Sequence, residues 1–74
     1  MEYPDKMIVK EEFLYQGQAI KRGVVLELQL AFDTEPSAEY SDTRFPHVVG
    51  EGLILEDFYI EKLINERKVI VIEK

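Results

Sequence analysis

The clearest pattern in the chain is an alternation of apolar and mixed positions between residues 24 and 32. A period of two is typical of a β-strand that buries one of its faces. We therefore predict a strand in this stretch, with its wholly apolar face in the core. The residues on that face are Val24, Leu26, Leu28, Leu30 and Phe32.

The preceding stretch, residues 7–15, is also predicted to be a strand. Met7, Val9, Phe13 and Tyr15 share one parity along it, as expected when one face is buried. Two turns then flank a short extended piece at residues 19–20, because glycine readily adopts the positive φ that tight turns need. These turns are Gln16-Gly17-Gln18 and Lys21-Arg22-Gly23.

Residues 56–68 have the spacing of an amphipathic helix. Apolar side chains recur there at intervals of three and four, which places them on one helical face. They are Tyr59, Ile60, Leu63 and Ile64. Phe58 lies off this face and is predicted to be an exposed aromatic residue. The following residues 69–72 are all apolar, which predicts a final strand covered on both faces.

Residues 48–55 admit two interpretations. Two apolar runs flank Gly50-Glu51-Gly52. One interpretation is a hairpin with a three-residue glycine loop. The other is a single bulged strand that leads into the helix. Of the two, we favour the hairpin.

Residues 33–46 show no clear period. They include two prolines and four acids, and we interpret them as a long acidic loop. Structureless loops of more than about 12–15 residues are uncommon in compact domains and are often functional. This segment is therefore the first place to look for function.

Together these elements predict one α+β domain that spans residues 1–74. Its small twisted antiparallel sheet, or partial barrel, packs against one helix near the C-terminus, and a final strand follows. A chain of 74 residues is too short to build a second core. The predicted core consists of Val9, Phe13, Val24, Leu26, Leu28, Leu30, Leu63, Ile64, Val69 and Val71.

Negative charge is concentrated in the middle of the chain. The formal net charge is −6, and residues 27–57 alone carry eight acids against one base, Arg44, for a net charge of −7. Such a segment repels a phosphate backbone, so we predict no direct binding to nucleic acid. It attracts a basic protein partner instead.

Three further features bear on the compartment. There is no cysteine, which favours a reducing environment for so small a domain. No apolar run approaches the ~20 residues that span a bilayer, and residues 1–6 lack the pattern of a signal peptide. We therefore predict a protein of the cytoplasm, or of a virion if it is viral, with no membrane partner.

Candidate catalytic groups are few. No cysteine is present and no serine lies in a glycine-framed turn, so a nucleophilic mechanism has no support. His47 is the only histidine, and acid–base catalysis needs an oriented partner that the sequence does not identify. We predict a structural or surface role for His47, and no enzymatic activity.

Cofactor and metal motifs are incomplete. Residues 33–39 place side-chain oxygens at every second position, as calcium loops do, but Ala38 and Arg44 stand where such a loop needs glycine and glutamate. The pair Gly50 and Gly52 lacks the third glycine and the following βαβ unit of a dinucleotide site. We predict no cofactor and no metal.

Aromatic residues surrounded by charge are typical anchors of protein interfaces. Tyr40, Phe45 and Phe58 lie where the periodic patterns do not bury them. The predicted interaction residues are Asp33, Glu35, Glu39, Tyr40, Asp42, Phe45 and Phe58. Replacing Tyr40 and Phe45 together by alanine is predicted to weaken binding while the fold survives.

Residues 13–28 have the sequence FLYQGQAIKRGVVLEL, in which an aromatic residue, a glycine turn and a basic–glycine turn precede an alternating strand. This pattern resembles the opening of small Src-homology-three-like barrel proteins of bacteriophage structural operons. Residues 63–70 resemble the short helix and strand that close those proteins. The resemblance implies a structural or adaptor role and provides no catalytic residues.

Three functions follow as hypotheses. The leading one is a non-enzymatic protein-interaction or adaptor module that docks through residues 33–46. The alternative is an acidic inhibitor that mimics nucleic acid and occupies the basic cleft of a nucleic-acid-binding protein. The third is a homo-oligomeric structural subunit of viral origin.

Overall fold

The computed structural model describes all residues from 1 to 74, and it contains seven strands and one helix. Their order is β1 (Lys6–Val9), β2 (Phe13–Tyr15), β3 (Gln18–Ile20), β4 (Val25–Phe32), β5 (Ser37–Asp42), β6 (Leu53–Glu56), α1 (Asp57–Asn65) and β7 (Val69–Glu73). Five strands form an antiparallel sheet in the order β6-β5-β4-β1-β7, and β2 and β3 form a separate hairpin. The predicted α+β class is confirmed, with an open sheet in place of a closed barrel.

The stretch predicted as one strand over residues 7–15 is two strands in the structure. β1 pairs with β4 and β7 in the sheet, whereas β2 pairs only with β3. Gln16 and Gly17 connect β2 to β3 with φ values of 50° and 78°. Two consecutive positive φ values match the twist of a two-residue hairpin, so the turn predicted at Gly17 is confirmed.

A bulge in β4 corrects the prediction for Leu30. Leu28 pairs with Tyr40 but Leu30 pairs with Glu39, so Gln29 is an extra residue on its strand. An extra residue exchanges the two faces of a strand beyond that point. Leu30 therefore leaves the core face and is 45% exposed, and its assignment to the core was wrong.

Most of the predicted core is confirmed. The core cluster fills the space between the sheet, the hairpin and α1. Its buried members are Met7, Val9, Phe13, Ile20, Val24, Leu26, Ala38, Tyr40, Leu55, Ile60, Leu63 and Val69. Leu28, Ile64 and Val71 were also predicted, and they are half-buried against this cluster.

The helix is shorter than the predicted residues 56–68 because a left-handed residue ends it. Arg67 has φ 58°, and the backbone N–H of Lys68 donates to the carbonyl of Leu63 at 2.9 Å. This ending satisfies carbonyl groups that the last helical turn leaves free. α1 has nine residues, and neither it nor any other part of the chain forms a helix that could cross a membrane.

β7 is an edge strand, and this contradicts the prediction that both of its faces are covered. It pairs only with β1. Val69 is buried in the core, whereas Ile70 and Ile72 on the opposite face are 45% and 53% exposed. The continuous apolar run does not distinguish a strand inside a sheet from one at its edge.

The predicted long loop at residues 33–46 was wrong, because its centre is β5. This strand lies between β4 and β6 and pairs with both. Four consecutive residues, Ser37 to Tyr40, are buried, so both faces of β5 are covered. The polar residues Ser37 and Glu39 hid the alternation that would have identified the strand.

The hairpin favoured for residues 48–55 was also wrong. Residues 53–56 form β6, which pairs with β5 and leads directly into α1. Val48 and Val49 lie outside any strand and are 53% and 76% exposed. The second interpretation was a single bulged strand that leads into the helix. It is right that a strand at residues 53–56 leads into α1, but its pairing with β5 has no bulge and does not extend to residues 48–52.

Candidate functional site

A cleft of about 360 Å³ opens between the end of β3 and residues 43–52, which we call the cover segment. The cover segment joins β5 to β6 and has no regular secondary structure. Buried and half-buried apolar groups form the floor of the cleft: Ile20, Val24, Leu26, Tyr40 and Leu53. Phe45 and Val48 stand on its rim and are 66% and 53% exposed.

Both basic side chains that line the cleft form ion pairs, whereas one of its acidic side chains does not. Lys21 forms an ion pair with Glu12 at 3.1 Å, and Arg44 forms one with Asp42 at 2.8 Å. Glu51 also lines the cleft and has no ion-pair partner. The uncompensated charge at the rim is therefore negative, which favours a cationic ligand.

Phe45 is held at the rim by a neighbouring cation. The guanidinium carbon of Arg44 lies 5.6 Å from the centroid of the Phe45 ring, within the range of a cation–π contact. Arg44 is itself oriented by two nitrogen atoms that donate to Asp42. This chain of contacts presents an apolar ring to solvent.

Glu39 fastens the cover segment to the sheet. Its side chain is almost fully buried, at 1% exposure. Its Oε2 atom lies 2.7 Å from Nε2 of His47, 3.1 Å from the backbone nitrogen of Gly50 and 3.3 Å from that of Gly52. One carboxylate on β5 thus receives three hydrogen bonds from the segment that forms a wall of the cleft.

These contacts keep Glu39 ionised. The hydrogen bond from His47 lowers the pKa of the Glu39 carboxyl, and the N–H groups of Gly50 and Gly52 add to that effect. Burial acts in the opposite direction but does not prevail. A buried carboxylate with several donors is the usual physical case of a lowered pKa.

The lowered pKa predicts a loss of stability in acid. Glu39 stabilises the fold above its unfolded pKa of about 4.5, and that contribution disappears as the pH falls through the lower folded value. Wild-type protein should therefore be more stable than Glu39→Gln at neutral pH. The difference should shrink progressively below about pH 4. Denaturant unfolding of both proteins across a pH series measures it, and a constant difference would contradict the assignment.

Gly52 occupies a position that has no room for a side chain. A Cβ atom there would lie 2.6 Å from the carbonyl oxygen of Tyr40 and 2.9 Å from Cγ of Glu39. Both neighbours belong to β5, which is paired on both sides, so neither can move far. The close approach lets the N–H of Gly52 reach the buried carboxylate.

The predicted interaction residues on β5 and the cover segment divide into two groups. Glu39 and Tyr40 are buried, so the prediction that they face solvent was wrong. The hydroxyl of Tyr40 donates to the carbonyl of Pro4 at 2.6 Å, which ties the N-terminal segment to the sheet. Asp42 and Phe45 both line the cleft.

The other predicted residues lie elsewhere. Asp33 and Glu35 are exposed in the turn between β4 and β5, and Glu35 borders a second cleft of about 290 Å³ together with Glu56. Phe58 is 65% exposed on α1 and does not line the main cleft. Their binding roles stay predictions.

The sequence did not predict that His47, Glu51 and the apolar residues of the floor line the same cleft. No local signal connects His47 with Glu39, because the contact depends on β5 being a strand and on the path of the cover segment. The spacing Gly50-x-Gly52 was the one available signal, and it marks a close approach of backbone to a neighbouring group.

The carboxylate of Glu39 orients the ring of His47, as in general bases, but no hydroxyl of the chain hydrogen-bonds to that ring. Ser41 lines the cleft, and its hydroxyl accepts a hydrogen bond from Gln29 at 2.8 Å. No group of three His, Asp or Glu side chains is placed to hold a metal ion.

The fold and site define a small α+β domain with a cleft of mixed apolar and polar lining beside an open antiparallel sheet. No protein-family model, curated protein or solved structure matches the chain. A proposal about its function therefore depends on the geometry of the chain.

Proposed function

We propose that this protein is a non-enzymatic interaction module that binds a segment of a basic protein in the cleft between β3 and the cover segment. The observation that carries the proposal is a cleft with buried and half-buried apolar residues at its floor and the exposed side chains of Phe45 and Val48 at its rim. Exposed apolar groups gathered beside a concave surface are typical of interaction sites.

Charge supports a basic partner. The two bases on the cleft are paired with acids, and Glu51 is free of any ion pair. The wider segment from residue 27 to residue 57 carries a net charge of −7. Such a field accelerates the approach of a cationic segment and disfavours acidic competitors.

Selection of peptides on the immobilised protein tests the proposal. A random peptide library displayed on phage should yield sequences that combine a large apolar residue with lysine or arginine. A selected peptide should bind Phe45→Ala about tenfold or more weakly than wild type, because exposed aromatic anchors dominate small interfaces. Fluorescence anisotropy of the labelled peptide measures the affinity.

Leu14→Ala is the matched control for that experiment. Leu14 is 69% exposed, close to the 66% of Phe45, and lines neither cleft. Its replacement removes a similar exposed apolar group and should leave the affinity unchanged. Equal losses in the two variants, or selected peptides without an apolar–basic pattern, would contradict the cleft as the docking site.

The alternatives have less support. An inhibitor that mimics nucleic acid would need its carboxylates at the surface, but Glu39 is buried and Asp42 is paired with Arg44. The resemblance to phage barrel proteins is compatible with an adaptor role and stays a prediction. The homo-oligomeric subunit also stays a prediction.

A further inference from the structure

We infer that the second cleft is a binding site for a guanidinium group, as carried by an arginine side chain of a partner protein. This cleft lies where the ends of β2 and β6 meet the start of β5, and it shares no residue with the main cleft. The inference goes beyond the proposed docking and does not depend on it.

Backbone contacts fix the start of β5 beside this cleft. Ser37 pairs in register with Glu56 of β6, and the N–H of Asp57 donates to the carbonyl of Pro36 at 2.8 Å. The N–H of Ser37 donates to the carbonyl of Glu35 at 2.7 Å, which holds the preceding turn. The side chains of Glu35 and Glu56 are thereby brought to the same cleft as Ser37.

Ser37 carries a hydroxyl group that has no partner within the chain. The residue is 4% exposed, yet its Oγ atom takes part in none of the side-chain hydrogen bonds. Every side-chain nitrogen or oxygen that is shielded from solvent does have a partner, so this hydroxyl opens into the cleft that Ser37 lines. Buried polar groups nearly always form hydrogen bonds, and this one is available to a ligand.

The other polar groups of the cleft mostly accept hydrogen bonds. The carboxylates of Glu35 and Glu56 can only accept. The hydroxyl of Tyr15 donates its hydrogen to the carbonyl of Ile54, so its oxygen can only accept from a ligand. A ligand that satisfies these groups must therefore carry several donors.

No base compensates the two carboxylates. Neither Glu35 nor Glu56 forms an ion pair, and no lysine, arginine or histidine lines the cleft. Burial and, after it, the charge of Glu56 raise the pKa of the Tyr15 hydroxyl, so this carboxylate acts on the aromatic ring of the cleft. The favoured ligand is a cation.

The size and lining of the cleft distinguish between cations. Its volume of about 290 Å³ is near the lower limit of ligand pockets and suits one side chain. Calcium takes about 6–8 oxygen ligands, but no group of three acidic or histidine side chains is placed to hold a metal ion. A guanidinium group has several donors in one plane and stacks on aromatic rings such as Tyr15, whereas an ammonium group is a point charge. Pro36 and Ile54 provide apolar contacts for its alkyl stem.

Two cations that differ only in the head group test the site. n-Butylguanidinium and n-butylammonium carry the same alkyl chain and the same charge. In amide NMR titrations at neutral pH, n-butylguanidinium should shift the signals of residues 15–16, 35–37 and 54–56, with an affinity about threefold or more above that of n-butylammonium. Equal affinities, or shifts confined to other residues, would overturn the inference.

Calcium chloride provides the second arm of the titration. It should not displace n-butylguanidinium at equal concentration, because the cleft offers too few carboxylates for the metal. If Ca²⁺ moved the same signals at lower concentration than the organic cation, the site would be a metal site and the assignment of guanidinium would be wrong.

Ser37→Ala separates a binding role from a structural one. Because the hydroxyl has no partner within the chain, its removal should leave the denaturant midpoint of unfolding unchanged. The same variant should bind n-butylguanidinium about fivefold more weakly, as expected for one lost acceptor. A lowered midpoint would show that the hydroxyl is structural, and an unchanged affinity would remove it from the site; either result contradicts the inference.

Glu56→Gln and Glu61→Gln remove the same charge at two places. Glu61 is exposed on α1, forms no ion pair and lines neither cleft. Glu56→Gln should weaken the binding of n-butylguanidinium about threefold, as expected for an exposed ion pair, and Glu61→Gln should leave it unchanged. Equal losses would indicate general attraction to an acidic chain and would overturn the site. Failure here leaves docking in the main cleft standing, and failure of the peptide experiment leaves this site standing, because the two clefts share no residue.

Discussion

Replacing Tyr40 by alanine is expected to lower the free energy of unfolding by about 3–5 kcal/mol, the usual cost of removing a fully buried aromatic ring. Tyr40 is 0% exposed and is the largest of the fully buried side chains. A domain of 74 residues has a total stability of roughly 4–11 kcal/mol. The substitution should therefore remove a large share of the total stability and shift the unfolding transition to much lower denaturant concentration, as measured by circular dichroism.

Tyr40→Phe separates the ring from its hydroxyl. It retains the packing and removes only the hydrogen bond to the carbonyl of Pro4, so it should cost about 0.5–1.5 kcal/mol. If Tyr40→Ala unfolded no more readily than Tyr40→Phe, the central position of β5 in the core would be wrong. The predicted double replacement of Tyr40 and Phe45 therefore combines a large loss of stability with any loss of binding, whereas Phe45→Ala alone removes only an exposed ring.

Replacing Glu39 by alanine is also expected to lower the free energy of unfolding by a large amount. Hydrogen bonds to charged groups contribute about 1.5–3 kcal/mol each, and losses within one network are not additive, so we expect a total of about 3 kcal/mol. The substitution leaves the donors of Gly50, Gly52 and His47 without their acceptor. The cover segment should then detach, and amide hydrogen exchange in residues 43–52 should accelerate more than exchange in β4.

Glu73→Ala is the matched control for Glu39→Ala. Glu73 accepts from the ammonium group of Lys6 at 3.4 Å, but its side chain is 59% exposed. Exposed ion pairs contribute about 0–1 kcal/mol, so this variant should be nearly as stable as wild type. Similar losses for the two glutamates would show that the burial of Glu39 has no energetic consequence and would contradict the role assigned to it.

The two faces of β5 hold different parts of the chain in place. The side chains of Tyr40 and Glu39 leave β5 on opposite faces, because they are adjacent in the strand. Tyr40 fills the core and holds the N-terminal segment, and Glu39 holds the cover segment. The floor and one wall of the cleft therefore both depend on β5, an interior strand between β4 and β6.

The edge strand β7 carries exposed apolar residues next to features that protect sheet edges. Ile70 and Ile72 are exposed beside the Lys6 ion pairs with Glu27 and Glu73. A bulge lies between Lys6 and Met7 in the pairing of β1 with β7, and bulges and charges are common protections of sheet edges. These features fit an edge that resists pairing with other strands.

The sequence by itself determined the elements whose burial is one-sided. The alternation in β4, the helical spacing of Ile60 and Leu63, and the turn at Gly17 all follow from local periodicity, since one face meets the core and the other meets water. Net charge favours a basic partner, which stays a prediction. Phe58 was predicted to be exposed, and it is.

Only the tertiary structure decided the identity of β5 and hence the site. Ser37 and Glu39 are polar and buried, so their strand carries no apolar alternation, and the bulge at Gln29 moves Leu30 out of the core. The contact between Glu39 and His47 depends on where the cover segment folds back over the sheet. The local pattern of apolar and polar residues predicts which side chains face solvent. A buried polar contact depends on partners that only the completed fold brings together.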